Sequence, residues 1–368
     1  MNNFISFRLK IIVLVVHLCI AFGVFLLLSY TFLTQRDISH QNIGKYDGIL
    51  KYLPSMKFIL PNRNDSKIRE YNVWLIFTKV RIDSPLKHKF HNLIVNLLNV
   101  SSVPLKFNVI VDDVSWKIAF MEFGKISNNT MQSVSYIFYN FTEVASKIHD
   151  IATVLTPHFS SRPGTYYSDA LFYVSLGLHR IAPPDQDLAV LLDCDLYFKD
   201  DIAILFKEFA RFKSTALFGL APELTPVYHH VLHIYRSKHT STFGDYYHLK
   251  NISKTVHPRG FQGYNSGVVL LNLRKIRQSK TYSKILSKSS VDSLTEKYNF
   301  RGHLGDQDFY TLMGYEYPDL IQTLNCGFNR QLCTWWKDHG YKDVFNNYFK
   351  CKHKIIVLHG NCNTPIPK

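Results

Sequence analysis

The decapeptide AVLLDCDLYF, residues 189–198, decides how the rest of the chain is read. Apolar residues run without interruption into Asp193 and Asp195, and Leu196 and Phe198 resume the run. A short apolar run bounded by polar residues fits a strand buried on both faces, as in a parallel α/β sheet. Side chains alternate along a strand, so Asp193 and Asp195 share one face and Cys194 takes the other. Two carboxylates on one face can reach one hard cation. Cys194 then reads as a small hydrophobe in the packing rather than a ligand or redox group.

Other segments repeat the form. YNVWLIFTKV (71–80) and LKFNVIVDD (105–113) are strand-like runs that end in polar residues. Between them, PLKHKFHNLIVNLLNVSS (85–102) places Phe90, Leu93, Ile94, Leu97 and Leu98 at helical spacing. Strand, helix and strand at this spacing predict a βαβ unit and a parallel sheet. A helix is expected over 166–181, a strand over 188–198 and another strand over 261–276 after a Gly-rich turn. In open α/β sheets ligands bind beyond the carboxyl ends of the strands. Thr78-Lys79, Asp112-Asp113 and Asp193/Asp195 would converge there. No GxGxxG follows the first strand and no GxxxxGK[ST] occurs, which argues against a dinucleotide dehydrogenase or a P-loop NTPase.

Composition sets the setting. The 368 residues are 46% apolar with a formal charge of +15, enough for a substantial core and suited to an anionic partner. No basic run is long enough for a nucleic-acid arm, so nucleic acid is not expected. Residues 11–33 are almost wholly apolar and follow Arg8 and Lys10. A membrane-spanning helix needs about 20 such residues, whereas a cleavable signal core has about 7–15. The expected order is a cytosolic tail (1–10), a transmembrane signal-anchor helix (11–33), a luminal stem (34–70) and a catalytic body (71–368). The positive residues before the span orient it as type II, with the body in the secretory lumen. Glycosylation sequons at Asn64, Asn99, Asn128, Asn140 and Asn251 agree with a lumen, as does a C-terminal cluster of Cys326, Cys333, Cys351 and Cys362. The cluster reads as two disulfides with three possible pairings; without a C-x-x-C pair, zinc is the weaker reading.

A third ligand is found near the end of the chain. In IIVLHGNCNTPIPK an apolar run ends in His359, followed by Gly360 and Asn361. Imidazole suits Mn²⁺ better than Mg²⁺. Gly360 and Asn361 are placed to offer donors to a diphosphate. HLGDQDFYTL (303–312) is a second polar island, with Asp306, Gln307 and Asp308 opening a predicted helix. An Asp-x-Asp pair, no P-loop, a basic surplus and a luminal body together point to a nucleotide-sugar glycosyltransferase.

LLDCDLYF, YNSGVVLLNL, LGDQDFY and the final LHGN carry a family resemblance. So does the long block NCGFNRQLCTWWKDHGY followed by HGNCNTPIP. The chain resembles the glycogenin-like retaining glycosyltransferases (family 8), and within them a xylose-transferring branch, over about residues 71–368. The resemblance implies a single GT-A type, Rossmann-like α/β domain. It implies α1,3 transfer of xylose from UDP-xylose, with retention and Mn²⁺. The implied acceptor is xylose on O-linked glucose of EGF-like repeats of the Notch type, in the endoplasmic reticulum. Carried onto this chain, Asp193, Asp195 and His359 would bind the metal. Phe77, Thr78, Lys79, Cys194 (by its backbone), Gln262, Leu304 and Gly360 would face the donor, and Asn265, Trp335, Trp336 and Asn361 the acceptor. Gln307 and Asp308 are the catalytic candidates. Gln307 is a poor nucleophile, which favours same-face attack with the leaving phosphate taking the acceptor proton. The rival readings are a related transferase for UDP-glucose or UDP-galactose, a metal hydrolase on the same ligands, and a non-enzymatic luminal protein that binds EGF-like repeats. The oligomeric state stays open, a homodimer included.

Overall fold

The two strand-like runs and the helix between them form as their patterns require. β1 (Tyr71–Phe77) and β2 (Leu105–Val111) pair in parallel over their full length. Helix α1 (Pro85–Val100) joins them, and helix α2 (Asp113–Thr130) follows β2. The Ser84 side chain caps α1 by accepting from the Leu86 amide, and Pro85 needs no partner at the first turn. Phe90, Leu93, Ile94 and Leu97 fill the sheet face as their spacing requires. The computed structural model describes residues 71–130, 134–160, 170–247 and 260–367. All belong to one compact unit, Arg69–Lys368. The expected tail, membrane span and stem, and the sequons at Asn64 and Asn251, lie outside the described residues. Among the described residues no helix is long and apolar enough to cross a membrane.

The main sheet has seven strands in the order β3-β2-β1-β4-β7-β6-β8. Added to β1 and β2 are β3 (Ser135–Asn140), β4 (Leu188–Leu192), β6 (Phe218–Pro222), β7 (Tyr264–Asn272) and β8 (Ile321–Thr323). Strands β3, β2, β1 and β4 are parallel neighbours. The chain runs outward from β1 to β3 and returns to the other side of β1 as β4, so the order reverses between β1 and β4. A crevice at the carboxyl ends of such a pair is where ligands sit in this class of sheet. Apolar layers cover both faces: Trp74, Ile110 and Leu191 contribute to one, Val73, Leu75, Phe77 and Leu192 to the other.

Four expectations change. The sheet is mixed, because β7 runs antiparallel to both β4 and β6. The predicted strand 188–198 is two strands. β4 stops at Leu192, the chain turns through Cys194 and Asp195, and β5 (Leu196–Phe198) enters a second sheet of three strands. That sheet has the order β5-β10-β9, with β9 at Arg330–Gln331 and β10 at Val357–His359. The amide of Asn96 fixes the departure, donating to the Phe198 carbonyl at 3.0 Å and accepting from the Phe198 N–H at 2.6 Å. Of the helix expected over 166–181, residues 166–169 lie outside the described residues, and the rest is a 3₁₀ turn, Ala170–Tyr173, followed by α3 (Val174–Ile181). The strand expected over 261–276 spans only 264–272, because the Asn272 side chain caps a helix that starts at Leu273.

Candidate functional site

The turn after β4 puts Asp193 and Asp195 at the carboxyl edge of the sheet, beside β1. Cys194 points inward as expected, although a turn rather than strand alternation directs it. It is buried and its Sγ–H donates to the Ile76 carbonyl at 3.5 Å. Strand β10 lies antiparallel to β5 and brings His359 opposite Leu196. The His359 Nε2 then lies 3.5 Å from Asp193 and 3.4 Å from Asp195. One ligand atom from each of the three residues falls within 4.8 Å of the others. Burial raises the Asp195 carboxyl, but the His359 hydrogen bond and the Lys89 ammonium outweigh it and hold it at about 2. Burial lowers the His359 imidazole, and the Asp195 hydrogen bond with the neighbouring carboxylates raises it further than that.

The donor set fits a divalent cation. Two carboxylates and an imidazole suit Mn²⁺. The imidazole is fixed from behind, because its Nδ1 meets the Asn329 side-chain oxygen at 2.9 Å, leaving Nε2 toward the carboxylates. Gly267 gives the ring its space: a methyl group there would stand 2.3 Å from the His359 Cε1. Lys89, from α1, places its ammonium 3.4 Å from the Asp195 carboxylate and 3.0 Å from the Asn363 side-chain oxygen.

The polar island forms helix α4 (Asp306–Glu316), entered through Gly305 at φ 65°. Gln307 is buried, with its amide nitrogen 3.3 Å from Glu223 and its oxygen accepting from the Ser266 N–H at 3.3 Å. Asp306 accepts from Ser175 and Ser266. Asp308 is buried with both oxygens engaged, accepting from the Leu304 N–H at 2.7 Å and the Tyr228 hydroxyl at 3.0 Å. Burial pushes the Asp308 carboxyl up to about 7. Of the two catalytic candidates, Gln307 is joined to the residues around the Asp193–Asp195–His359 cluster, and both Asp308 oxygens are taken by Leu304 and Tyr228.

The remaining candidates fall into distinct positions. Phe77 is fully buried against Phe90, with ring centroids 4.3 Å apart, so only its backbone can meet a ligand. Thr78 is buried, and Lys79 adopts φ 57° immediately beyond β1. Gln262 accepts from the Tyr247 N–H and donates to the Glu223 carbonyl, acting as a strut. The Gly360 N–H donates to the Asp195 carbonyl at 2.8 Å. The Asn361 oxygen accepts from the Leu332 and Cys333 N–H groups. The first contact takes the Gly360 N–H, and the second holds Asn361 by its oxygen. Leu304 is partly buried at the start of α4. Trp335 and Trp336 lie on the short helix α5 (Trp335–Asp338), with Trp335 half exposed and stacked on His339 at 3.8 Å. The cysteines pair as Cys326–Cys351 and Cys333–Cys362.

Sequence reading missed Glu223, Asn329 and Lys89. Glu223 ends the apolar run ALFGLAP, the same form that marked Asp193, so its signal was present. Asn329 had no signal of its own: only the pairing of β9 with β10 brings it under His359.

A Rossmann-like α/β sheet with Asp-x-Asp at its reversal point, joined there by a distant histidine, is the architecture of a glycosyltransferase. Mouse xyloside xylosyltransferase 1 is 38% identical over 305 residues, covering 81% of this chain and 75% of that protein. The human protein of that name is 38% identical over 307 residues, with the same coverage. The crystal structure of the mouse protein in its apo form superposes with a TM-score of 0.73 at 37% identity, covering 81% of this chain and 99% of that one. No family model matches the chain. The chain belongs to the xyloside xylosyltransferase family, and it is a xylosyltransferase.

Proposed function

We propose that this protein transfers xylose from UDP-xylose, in α1,3 linkage and with retained configuration, onto xylose already carried by O-linked glucose on EGF-like repeats of the Notch type. Asp193, Asp195 and His359 would hold Mn²⁺ in a type II protein of the endoplasmic reticulum membrane whose body is luminal. The observation that carries the reading is the convergence of those three ligands at the sheet's reversal point in a chain of this family.

A bound cation supplies positive charge against the departing diphosphate. The protein's own groups support a same-face reaction. A double displacement needs a free nucleophile below the anomeric carbon. Gln307 offers an amide, and Asp306 and Asp308 each have both oxygens engaged. In the same-face route the acceptor oxygen bonds to the anomeric carbon as the bond to the β-phosphate oxygen breaks. The acceptor proton passes to that phosphate oxygen. Gln307 would steady the positive charge on the sugar through its amide oxygen. Trp335 and Trp336 would offer ring faces to acceptor sugar C–H groups.

A donor panel tests this proposal. A xylosyl-glucosyl EGF-like repeat is incubated with UDP-xylose, UDP-glucose or UDP-galactose, with Mn²⁺ or EDTA. Transfer from UDP-xylose alone, abolished by EDTA and giving an α-linked product, is expected. Equal use of UDP-glucose, or undiminished transfer in EDTA, would overturn it.

A further inference from the structure

Three buried polar side chains, Asn329, Asn265 and Glu223, connect the cation ligand His359 to Gln307, and the hydrogen bonds from both ends run toward Glu223. Glu223 is 3% exposed and accepts four times. One oxygen takes the Thr225 N–H at 2.9 Å and its hydroxyl at 2.7 Å. The other takes the Asn265 amide at 2.9 Å and the Gln307 amide at 3.3 Å. A carboxylate only accepts, so both amides must turn their nitrogens toward it. Asn265 is then left with its oxygen facing Asn329, whose amide nitrogen donates to it at 2.8 Å. Asn329 in turn presents its oxygen to His359 Nδ1. Nδ1 must therefore carry a proton, and Nε2 is the nitrogen left to face Asp193 and Asp195. At the opposite end, the Gln307 oxygen points away from Glu223 toward the Ser266 N–H.

We infer that Glu223 is a positioning residue that sets the polarity of both ends of this relay: it selects the cation-binding tautomer of His359 through Asn265 and Asn329, and it orients the Gln307 amide. Glu223 contacts none of the three clustered ligands in this arrangement; it acts two residues away. The inference rests on the cation reading of the site for its consequence, but not for its geometry.

The polarity can be reversed by substitution. In Glu223→Gln the Thr225 N–H, which can only donate, holds the remaining oxygen, so the new amide nitrogen faces Asn265, which meets it only by flipping and giving up its bond from the Gly267 N–H. Asn329 must then flip as well and offer its nitrogen to His359, driving the ring proton to Nε2. Adding Asn329→Asp repairs the chain. The new carboxylate accepts from the flipped Asn265 and again accepts from Nδ1–H.

The experiment uses full-length protein in detergent. Nitrogen-15 shifts of the His359 ring are recorded without cation, and Mn²⁺ binding is followed by electron paramagnetic resonance without donor. Wild type is expected to show a protonated Nδ1 hydrogen-bonded to Asn329. E223Q is expected to lose it and to bind Mn²⁺ about tenfold or more weakly, the usual scale for groups behind a metal ligand. E223Q/N329D is expected to recover both. Wild-type ring shifts and Mn²⁺ affinity in E223Q would overturn the inference. If E223Q does not fold, the double variant decides: a protonated Nδ1 supports the relay and an unprotonated Nδ1 overturns it. Ring shifts that follow the scheme while wild type binds no Mn²⁺ would remove the cation reading and leave the relay standing.

Discussion

His359 and Gly267 are in contact so close that no other residue fits at 267: an added methyl carbon would stand 2.3 Å from Cε1 and 2.7 Å from Nδ1. Gly267→Ala must therefore displace the imidazole from the carboxylates. Mn²⁺ affinity should fall about 10–100-fold, with transferase activity at fixed Mn²⁺ falling in parallel. Calorimetric titration with Mn²⁺ checks this. Unchanged affinity would mean that the strand yields rather than the ring.

Removing a ligand should be more severe. Asp195→Asn keeps the size of the side chain but removes its charge. A cation in this position is worth several kcal/mol to a departing diphosphate, so turnover should drop at least about a hundredfold. The Asn variant should remain folded by circular dichroism. Wild-type transfer by this variant would sink the enzyme reading of the site.

Asp308 gives a pH prediction. Its folded carboxyl is raised from 3.8 to about 7 by burial. Between those values the folded state holds a proton that the unfolded state has lost, so stability falls as pH rises through that window. Asp308→Asn removes the titration while its amide can still meet the Leu304 N–H and the Tyr228 oxygen. Denaturant unfolding at pH 4 and pH 8 should show the variant gaining on wild type at the higher pH, by up to about 4 kcal/mol. Its transfer rate should stay within about tenfold of wild type. A trapped glycosyl-enzyme in this variant would contradict the same-face route.

Trp335 is 50% exposed and contributes little to the core. Trp335→Ala should raise the acceptor KM about tenfold, equivalent to about 1.4 kcal/mol, with an unchanged melting temperature. An unaltered acceptor KM would remove Trp335 from the acceptor surface.

Patterns confined to one segment were legible in the sequence. Strands β1, β2 and β4, helix α1 and the acidic ends of the strands follow from local periodicity, and the ligand trio follows from apolar runs that end in a donor. What could not be read depends on partners far along the chain. β7 runs antiparallel because of how it pairs with β4 and β6, and nothing within 264–272 states that direction. The turn at Cys194 looked like a continued strand because apolar residues resume at Leu196, yet these residues serve a different sheet. Asp308 looked like a candidate for chemistry because an acidic residue beside a glutamine is ambiguous. Only the contacts with Leu304 and Tyr228 show that it is occupied. Asn329 is the extreme case, a common residue whose importance lies wholly in what strand pairing places above it.

The position of His359 on β10, the last strand described, affects how the protein is made. Asp193 and Asp195 leave the ribosome well before the residue that completes their cluster. A chain stopped between β8 and β10 holds all seven strands of the main sheet and still lacks His359, so the cluster is incomplete. Cys333 follows β9 and Cys362 follows β10, and their disulfide fastens the two strands that carry the histidine and its backing. His359 is thus placed only once β10 has been made, and the Cys333–Cys362 bond then ties together the segments that follow β9 and β10.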